Sequence, residues 1–186
     1  MTLQRFTTKL KDGTEVLARE ATIHDAAEMI QCVKTYVAES KYMVVLPEEF
    51  SLTLHQGREW IQAFIEADNS LLMVAEVNGA IVGNLDITGA KRQRIMHNGM
   101  IGMGMLPDYR RKGLGSVLLK AGIDWATHNP YLQRLWLQVI AANQPAIELY
   151  KKFGFEQEGL QKNFIKTGEG TYADNLIMGL PLNKTA

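Results

Sequence analysis

A glycine-rich loop between a strand and a helix is the feature that most constrains this fold. Residues 110–116 read Arg-Arg-Lys-Gly-Leu-Gly-Ser and follow an apolar run at residues 100–106. Apolar residues then recur at helical spacing over residues 116–127, so a strand ends, a loop forms and a helix begins. Backbone N–H groups and the positive end of the helix dipole converge at such a junction. The segment therefore predicts an anion-binding site, with bare backbone at Gly113 and Gly115 and charge from the three basic residues.

The spacing of these glycines separates the loop from two other phosphate-binding motifs. A P-loop needs a lysine directly after its second glycine, but Ser116 follows Gly115 here. A dinucleotide-binding fingerprint needs a third glycine where this chain has Leu118. The remaining pattern, Arg-x-x-Gly-x-Gly, also fits a solvated basic turn that begins a helix.

A second segment, residues 134–155, favours one functional interpretation of the loop. An apolar strand is followed by Asn143, a short helix that ends at Tyr150, and a glycine stop at Gly154. With the loop, this segment resembles the GCN5-related N-acetyltransferase (GNAT) superfamily. The tail of the chain, with residues 154–159, residues 170–174 and Met178, is similar to the branch that includes ribosomal-protein alanine and spermidine acetyltransferases. The resemblance covers residues 16–182 and implies an α/β fold, a mixed and mostly antiparallel sheet with helices on both faces. We expect one acetyltransferase domain over residues 1–186.

The resemblance implies an N-acetyltransferase that moves an acetyl group from acetyl-coenzyme A to a primary amine, directly in a ternary complex. In that superfamily the glycine-rich loop binds the pyrophosphate, the strand before it contacts the pantetheine arm and thioester, and the asparagine and tyrosine contact the cofactor. The residues so implied here are Met103, Gly104, Met105, Arg110, Arg111, Lys112, Gly113, Leu114, Gly115, Ser116, Asn143 and Tyr150.

Tyr150 is the candidate general acid. A phenol has a reference pKa of about 10, so it is protonated at neutral pH and can donate to a leaving thiolate. Two structural alternatives stay open, because a tyrosine on a short helix often only packs and an asparagine before a helix often only caps it.

The general base is where this chain departs from its relatives. Gln138 and Met100 stand where those enzymes carry glutamates, and neither side chain takes a proton. His97, with a reference pKa of about 6.5, is the remaining side-chain candidate. A water chain or an amine that is already neutral would serve as well. The missing carboxylate also leaves open a non-catalytic coenzyme A sensor, and a transferase of a longer acyl group is a further alternative.

Composition limits the partners. The chain has 20 basic and 20 acidic residues and a net charge of zero, which argues against nucleic-acid binding. No segment is apolar enough to cross a membrane, and the first residues lack a secretory core, so we expect a cytoplasmic protein. The histidines show no metal-ligand spacing, and we expect no metal.

We expect the acceptor to be a small-molecule or peptide amine that the N-terminal helices and residues 42–54 recognise. The resemblance also allows a homodimer.

Periodicity predicts the remaining elements. Asp12-Gly13 and Asn78-Gly79 mark hairpin turns between strand-like runs. The predicted strands cover residues 5–9, 14–20, 71–77, 80–88, 97–106, 135–140, 155–165 and 174–180, and the predicted early helices cover residues 24–38 and 53–66.

Overall fold

The protein is described by a computed structural model over residues 2–183. The strands are β1 (Phe6–Lys9), β2 (Glu15–Glu20), β3 (Leu71–Val77), β4 (Ala80–Gly89), β5 (Asn98–Met105), β6 (Arg134–Ile140), β7 (Glu156–Gly168) and β8 (Thr171–Pro181). The α-helices are α1 (Ala26–Ala38), α2 (Leu54–Ile65), α3 (Leu114–His128) and α4 (Gln144–Lys152).

The eight strands form one sheet in the order β1-β2-β3-β4-β5-β6-β8-β7. Neighbouring strands run antiparallel except β5 and β6, which run parallel. The predicted mixed, mostly antiparallel sheet is therefore confirmed. The one parallel pair is connected through α3, as a parallel connection requires a crossover.

Apolar side chains form a core on each face of the sheet. Along β3, Leu71 and Met73 belong to the core that α3 and α4 cover, and Leu72 and Val74 belong to the core that α1 and α2 cover. This alternation follows from the two-residue period of a strand, and it explains why β3 is apolar almost throughout. The predicted placement of helices on both faces is confirmed.

Local signals in the sequence account for several element boundaries. At the turn between β3 and β4, Asn78 and Gly79 both have positive φ, at 52° and 81°, as a tight hairpin turn requires. The hydroxyl of Thr53 accepts a hydrogen bond from the backbone N–H of Gln56 at 3.3 Å and caps α2.

Two predicted boundaries were wrong. The helix predicted from residue 24 begins at Ala26, and Ile23–Asp25 form a 3-10 turn instead. In that turn the Asp25 carboxylate accepts from the Thr22 N–H at 2.7 Å and pairs with Arg19. The hairpin of β7 and β8 extends beyond its predicted strands, because backbone pairing continues through exposed polar residues that show no buried-face pattern.

Candidate functional site

The sheet opens into a fork between β5 and β6. Within the described chain these strands pair only at Asn98–Arg134, Gly99–Leu135 and Met100–Trp136. Beyond those pairs, β5 continues to Met105 beside β4, and β6 continues to Ile140 beside β8. The edge of β5 that faces the fork is therefore open from Ile101 onward. An open strand edge can hold an extended chain of amide groups through backbone hydrogen bonds.

The glycine-rich loop lies at the end of β5, between a 3-10 turn at Pro107–Tyr109 and α3. Gly113 is the N-cap of α3 and has φ 97°, in the left-handed region that favours glycine. No described side chain caps this helix. The first N–H groups of a helix lack intrahelical acceptors, so they are available to an anion here. The predicted strand–loop–helix junction is confirmed, and phosphate binding at it stays a prediction.

The three basic side chains of the loop have different surroundings. Arg110 Nη2 donates to the Met105 carbonyl at 3.4 Å. Lys112 Nζ forms an ion pair with Asp12 at 2.9 Å, and hydrogen bonding by Lys112 lowers the pKa of Asp12 to about 2. Arg111 is exposed and forms no ion pair with the residues that the structure describes. Arg111 is therefore the basic side chain most available to a bound anion.

Gly115 differs from its sequence-based interpretation. The residue is buried, and a Cβ there would lie 3.0 Å from Leu149 Cδ2 and 3.3 Å from Met105 Cε. Its missing side chain therefore lets α3 pack against β5 and α4, whereas Gly113, where a Cβ would meet only Lys11 at ordinary contact distance, is the open glycine. This contact also places the N-terminus of α3 beside α4, the helix that carries Tyr150.

Asn143 and Tyr150 mark the two ends of α4. Asn143 Oδ1 accepts from the Ala146 N–H at 3.4 Å, so the residue caps the helix. Tyr150 is 8% exposed, and its ring packs edge-on against Phe155 at 5.8 Å. Burial, with a smaller effect from the Asp86 carboxylate, raises the pKa of Tyr150 to about 12. The phenol is therefore protonated at neutral pH, and its hydroxyl donates to no described residue.

Sequence reasoning missed Asp86, a carboxylate on β4. Asp86 lies directly opposite Gly102 of β5, one residue past the start of the open edge. Its Oδ1 atom lies 2.6 Å from the point where a Cβ of residue 102 would be. At the next position on this face, the Tyr36 ring covers Gly104, and its hydroxyl donates to Asn84 Oδ1 at 3.1 Å. Gly102 and Gly104 thus leave space over β5 for the side chains of Asp86 and Tyr36. The register between β4 and β5 is continuous here.

The Asp86 carboxylate lies in an unusual electrostatic environment. Burial raises its pKa to about 6, while hydrogen bonds from Thr88 and from its own backbone N–H act in the opposite direction. No described lysine, arginine or histidine nitrogen lies within ion-pair distance of it. A charged residue inside the apolar run of residues 81–87 is the sequence signal that indicates this site.

The structure does not bring the other base candidates together with this carboxylate. His97 precedes β5 at its paired end, and its carbonyl accepts from the Gln133 N–H at 2.8 Å. Five residues of strand separate it from Gly102, about 17 Å at the usual rise of a strand. Gln138 lies on β6, where its Oε1 accepts from Asn175 Nδ2 at 3.3 Å, and the Met100 side chain is exposed.

Within residues 2–183, no group of three or more histidine, cysteine, aspartate or glutamate side chains is arranged to hold a metal ion. No helix in the same range has the length and hydropathy needed to cross a membrane.

Comparison with known proteins identifies relatives along most of the chain. A model of the Acetyltransferase (GNAT) family matches residues 35–155. The L-amino acid N-acetyltransferase AaaT of Escherichia coli is 31% identical over 137 residues, which cover 71% of this chain and 83% of that protein. A GNAT-family acetyltransferase structure from Streptococcus pneumoniae has a TM-score of 0.87 and 33% identity, covering 89% of this chain and 99% of that one. The Salmonella typhimurium protein yncA, solved with its cofactor acetyl-CoA, shares the fold at a TM-score of 0.80 and 19% identity, covering 92% and 96%.

Proposed function

Because the chain belongs to the GNAT acetyltransferase family, whose members use acetyl-coenzyme A, we propose that it acetylates a primary amine. The acetyl group passes directly from the thioester to the amine while both substrates are bound. The observation that carries this proposal is the fork, because the open edge of β5 runs between Asp86 and the N-terminus of α3. That edge and that helix end are the two features that a pantetheine arm with a pyrophosphate needs.

The residues at the fork suit acetyl-coenzyme A. The backbone N–H groups of Leu114, Gly115 and Ser116 and the side chain of Arg111 would hold the pyrophosphate. The open backbone of Met103–Met105 would hold the pantetheine amides, and it would polarise the thioester carbonyl through a backbone N–H. Asn143 already caps α4 through Oδ1, so its Nδ2 hydrogens remain for the pantetheine arm.

Tyr150 would act as the general acid. Its hydroxyl stays protonated because burial raises its pKa, and it has no described acceptor to compete with a leaving thiolate. Its helix packs against the first turn of α3 through Leu149, so the acid lies on the helix next to the anion site.

The name of a relative, rather than the geometry of the fork, supports the acceptor class. AaaT acts on L-amino acids by its name, and we propose a small-molecule or peptide amine here. The missing glutamates at positions 100 and 138 suggested a non-catalytic sensor, but Asp86 supplies a carboxylate at the fork and removes that reason.

The decisive experiment is a thiol-release assay with acetyl-coenzyme A and a panel of amino acids, amino acid amides, peptides, polyamines and aminoglycosides. We expect amine-dependent release of coenzyme A with at least one class, and an acetylated product by mass spectrometry. Binding of acetyl-coenzyme A in calorimetry without release for any amine would support the sensor, and absence of binding would contradict the whole assignment.

A further inference from the structure

We propose that Asp86 is the catalytic base of this enzyme, binding the acceptor amine at the fork and taking a proton from its nitrogen. This inference rests on the proposed function and adds the residue that neither the loop nor α4 supplies. Relatives carry a glutamate at positions corresponding to Met100 or Gln138, so this chain would perform the same step from a different strand.

The position of Asp86 is the first argument. It lies opposite Gly102, two residues beyond the last β5–β6 pair at Met100. Since a Cβ at residue 102 would collide with Oδ1 and Oδ2, the carboxylate lies directly over the backbone of β5. The glycine therefore holds open the space through which the carboxylate approaches the open strand.

The relation of Asp86 to Tyr150 is the second argument. Tyr150 belongs to the core that α3 and α4 cover. Asp86 lies on the opposite face of the sheet, which Tyr36 of α1 also contacts. The Asp86 charge nevertheless acts on both tyrosines. The carboxylate and the Tyr150 phenol therefore interact electrostatically although they belong to opposite faces of the sheet.

The absence of a cationic partner among the described residues is the third argument. Asp86 is partly buried, and removing a carboxylate from water is costly unless it is paired; no described cation lies within ion-pair distance of it. A protonated amine is the ligand that would satisfy it. Asp86 acts electrostatically on two titratable groups, Tyr36 and Tyr150, and Cys32 also acts on Tyr36. Burial raises the pKa of each of those three groups, so they stay neutral at working pH.

The proposed step balances without a further reactant. An acceptor ammonium ion bound at Asp86 loses one proton to water, and the neutral nitrogen attacks the thioester carbonyl carbon. The new C–N bond forms, the C–S bond breaks, and its electron pair leaves on sulfur. Asp86 takes one proton from the nitrogen, and Tyr150 gives one proton to the sulfur. A proton then returns from the Asp86 carboxyl to the Tyr150 phenolate through water, which restores both groups.

The test compares Asp86→Asn with the parent enzyme and with Asp124→Asn. Asparagine keeps the shape of the side chain and removes its basicity, and Asp124 provides a matched control because it is exposed and pairs only with Lys120. We expect Asp86→Asn to lower turnover roughly 100- to 10,000-fold, the usual share of a general base. Acetyl-coenzyme A affinity in calorimetry should stay within about twofold of the parent, about 0.4 kcal/mol. Asp124→Asn should match the parent in both.

The pH dependence separates a base from a structural role. The parent should lose turnover as pH falls through about 6, because a protonated carboxyl cannot take a proton; Asp86→Asn should lack this inflection. Asp86→Glu should restore part of the turnover together with the inflection, and it keeps the test valid if the asparagine variant does not fold. Turnover of Asp86→Asn within about threefold of the parent, or a loss of acetyl-coenzyme A affinity equal to its loss of turnover, would overturn the proposal while leaving the acetyltransferase assignment intact. Failure of the parent itself to turn over any amine would instead contradict the proposed function.

Discussion

Replacing Asp86 by asparagine is expected to stabilise the folded protein above neutral pH while it inactivates the enzyme. The carboxylate is partly buried and has no described cation beside it, and this desolvation raises its pKa from 3.8 to about 6. A shift of about two pKa units at 1.36 kcal/mol per unit corresponds to a destabilisation of about 3 kcal/mol when the group is charged. Asparagine has nearly the same shape and carries no charge, so it removes this cost.

The direction of this pH dependence follows from the number of protons that Asp86 binds in the folded and unfolded states. Between pH 4 and pH 6 the folded state keeps the Asp86 proton and the unfolded state loses it, so the parent's free energy of unfolding falls as pH rises. Asp86→Asn lacks this dependence. The stability of the variant relative to the parent should therefore rise by about 2 to 3 kcal/mol from pH 4 to pH 8. For a chain of this length, that is about 5 to 10 °C in Tm.

Urea denaturation of parent and variant at pH 4.5 and pH 8, without any coenzyme, measures this difference. Unequal packing of the amide adds the same offset at both pH values, so only the change between them counts. Asp124→Asn, which removes an exposed charge, should show a much smaller change. An equal difference at both pH values, or one that shrinks as pH rises, would refute the burial of an unpaired charge at Asp86.

Further variants, with two controls, test the other residues of the site. Tyr150→Phe keeps the packing on Phe155 and should lower turnover roughly 100-fold or more with unchanged acetyl-coenzyme A affinity; turnover within twofold would make water the acid. Gly113→Val should abolish that affinity in calorimetry, whereas Gly79→Val, which meets similar left-handed strain at a remote turn, should lose only stability. Arg111→Ala should weaken affinity at low salt by a factor of about 5, and Lys112→Ala by less, because only Lys112 pairs with Asp12; the opposite order would show that Lys112 holds the phosphate.

Short sequence patterns predicted most elements of the fold. The turn at Asn78-Gly79 and the cap at Thr53 are set by residues within a few positions of each other, so a single segment predicts them. The loop before α3 is local in the same way. The exposed hairpin of β7 and β8 was underestimated, because a strand without a buried face leaves little alternation to detect.

The candidate site depends on contacts that no local pattern contains. Gly115 and Leu149 lie 34 positions apart, and their contact decides that Gly115 serves packing. The register of β4 against β5 places Asp86 over Gly102, and the sequence states neither the register nor the face. Asp86 lies on a different strand from the positions where relatives carry a glutamate, so those positions give no indication of it.

Asp86 and Gly102 depend on each other, although asparagine at residue 86 would give a more stable protein. Any side chain at residue 102 would displace the carboxylate, while asparagine at residue 86 would relieve the cost of burying a charge. Stability therefore gives no reason for a partly buried carboxylate without a cation beside a glycine at the fork, and binding and deprotonating an amine does.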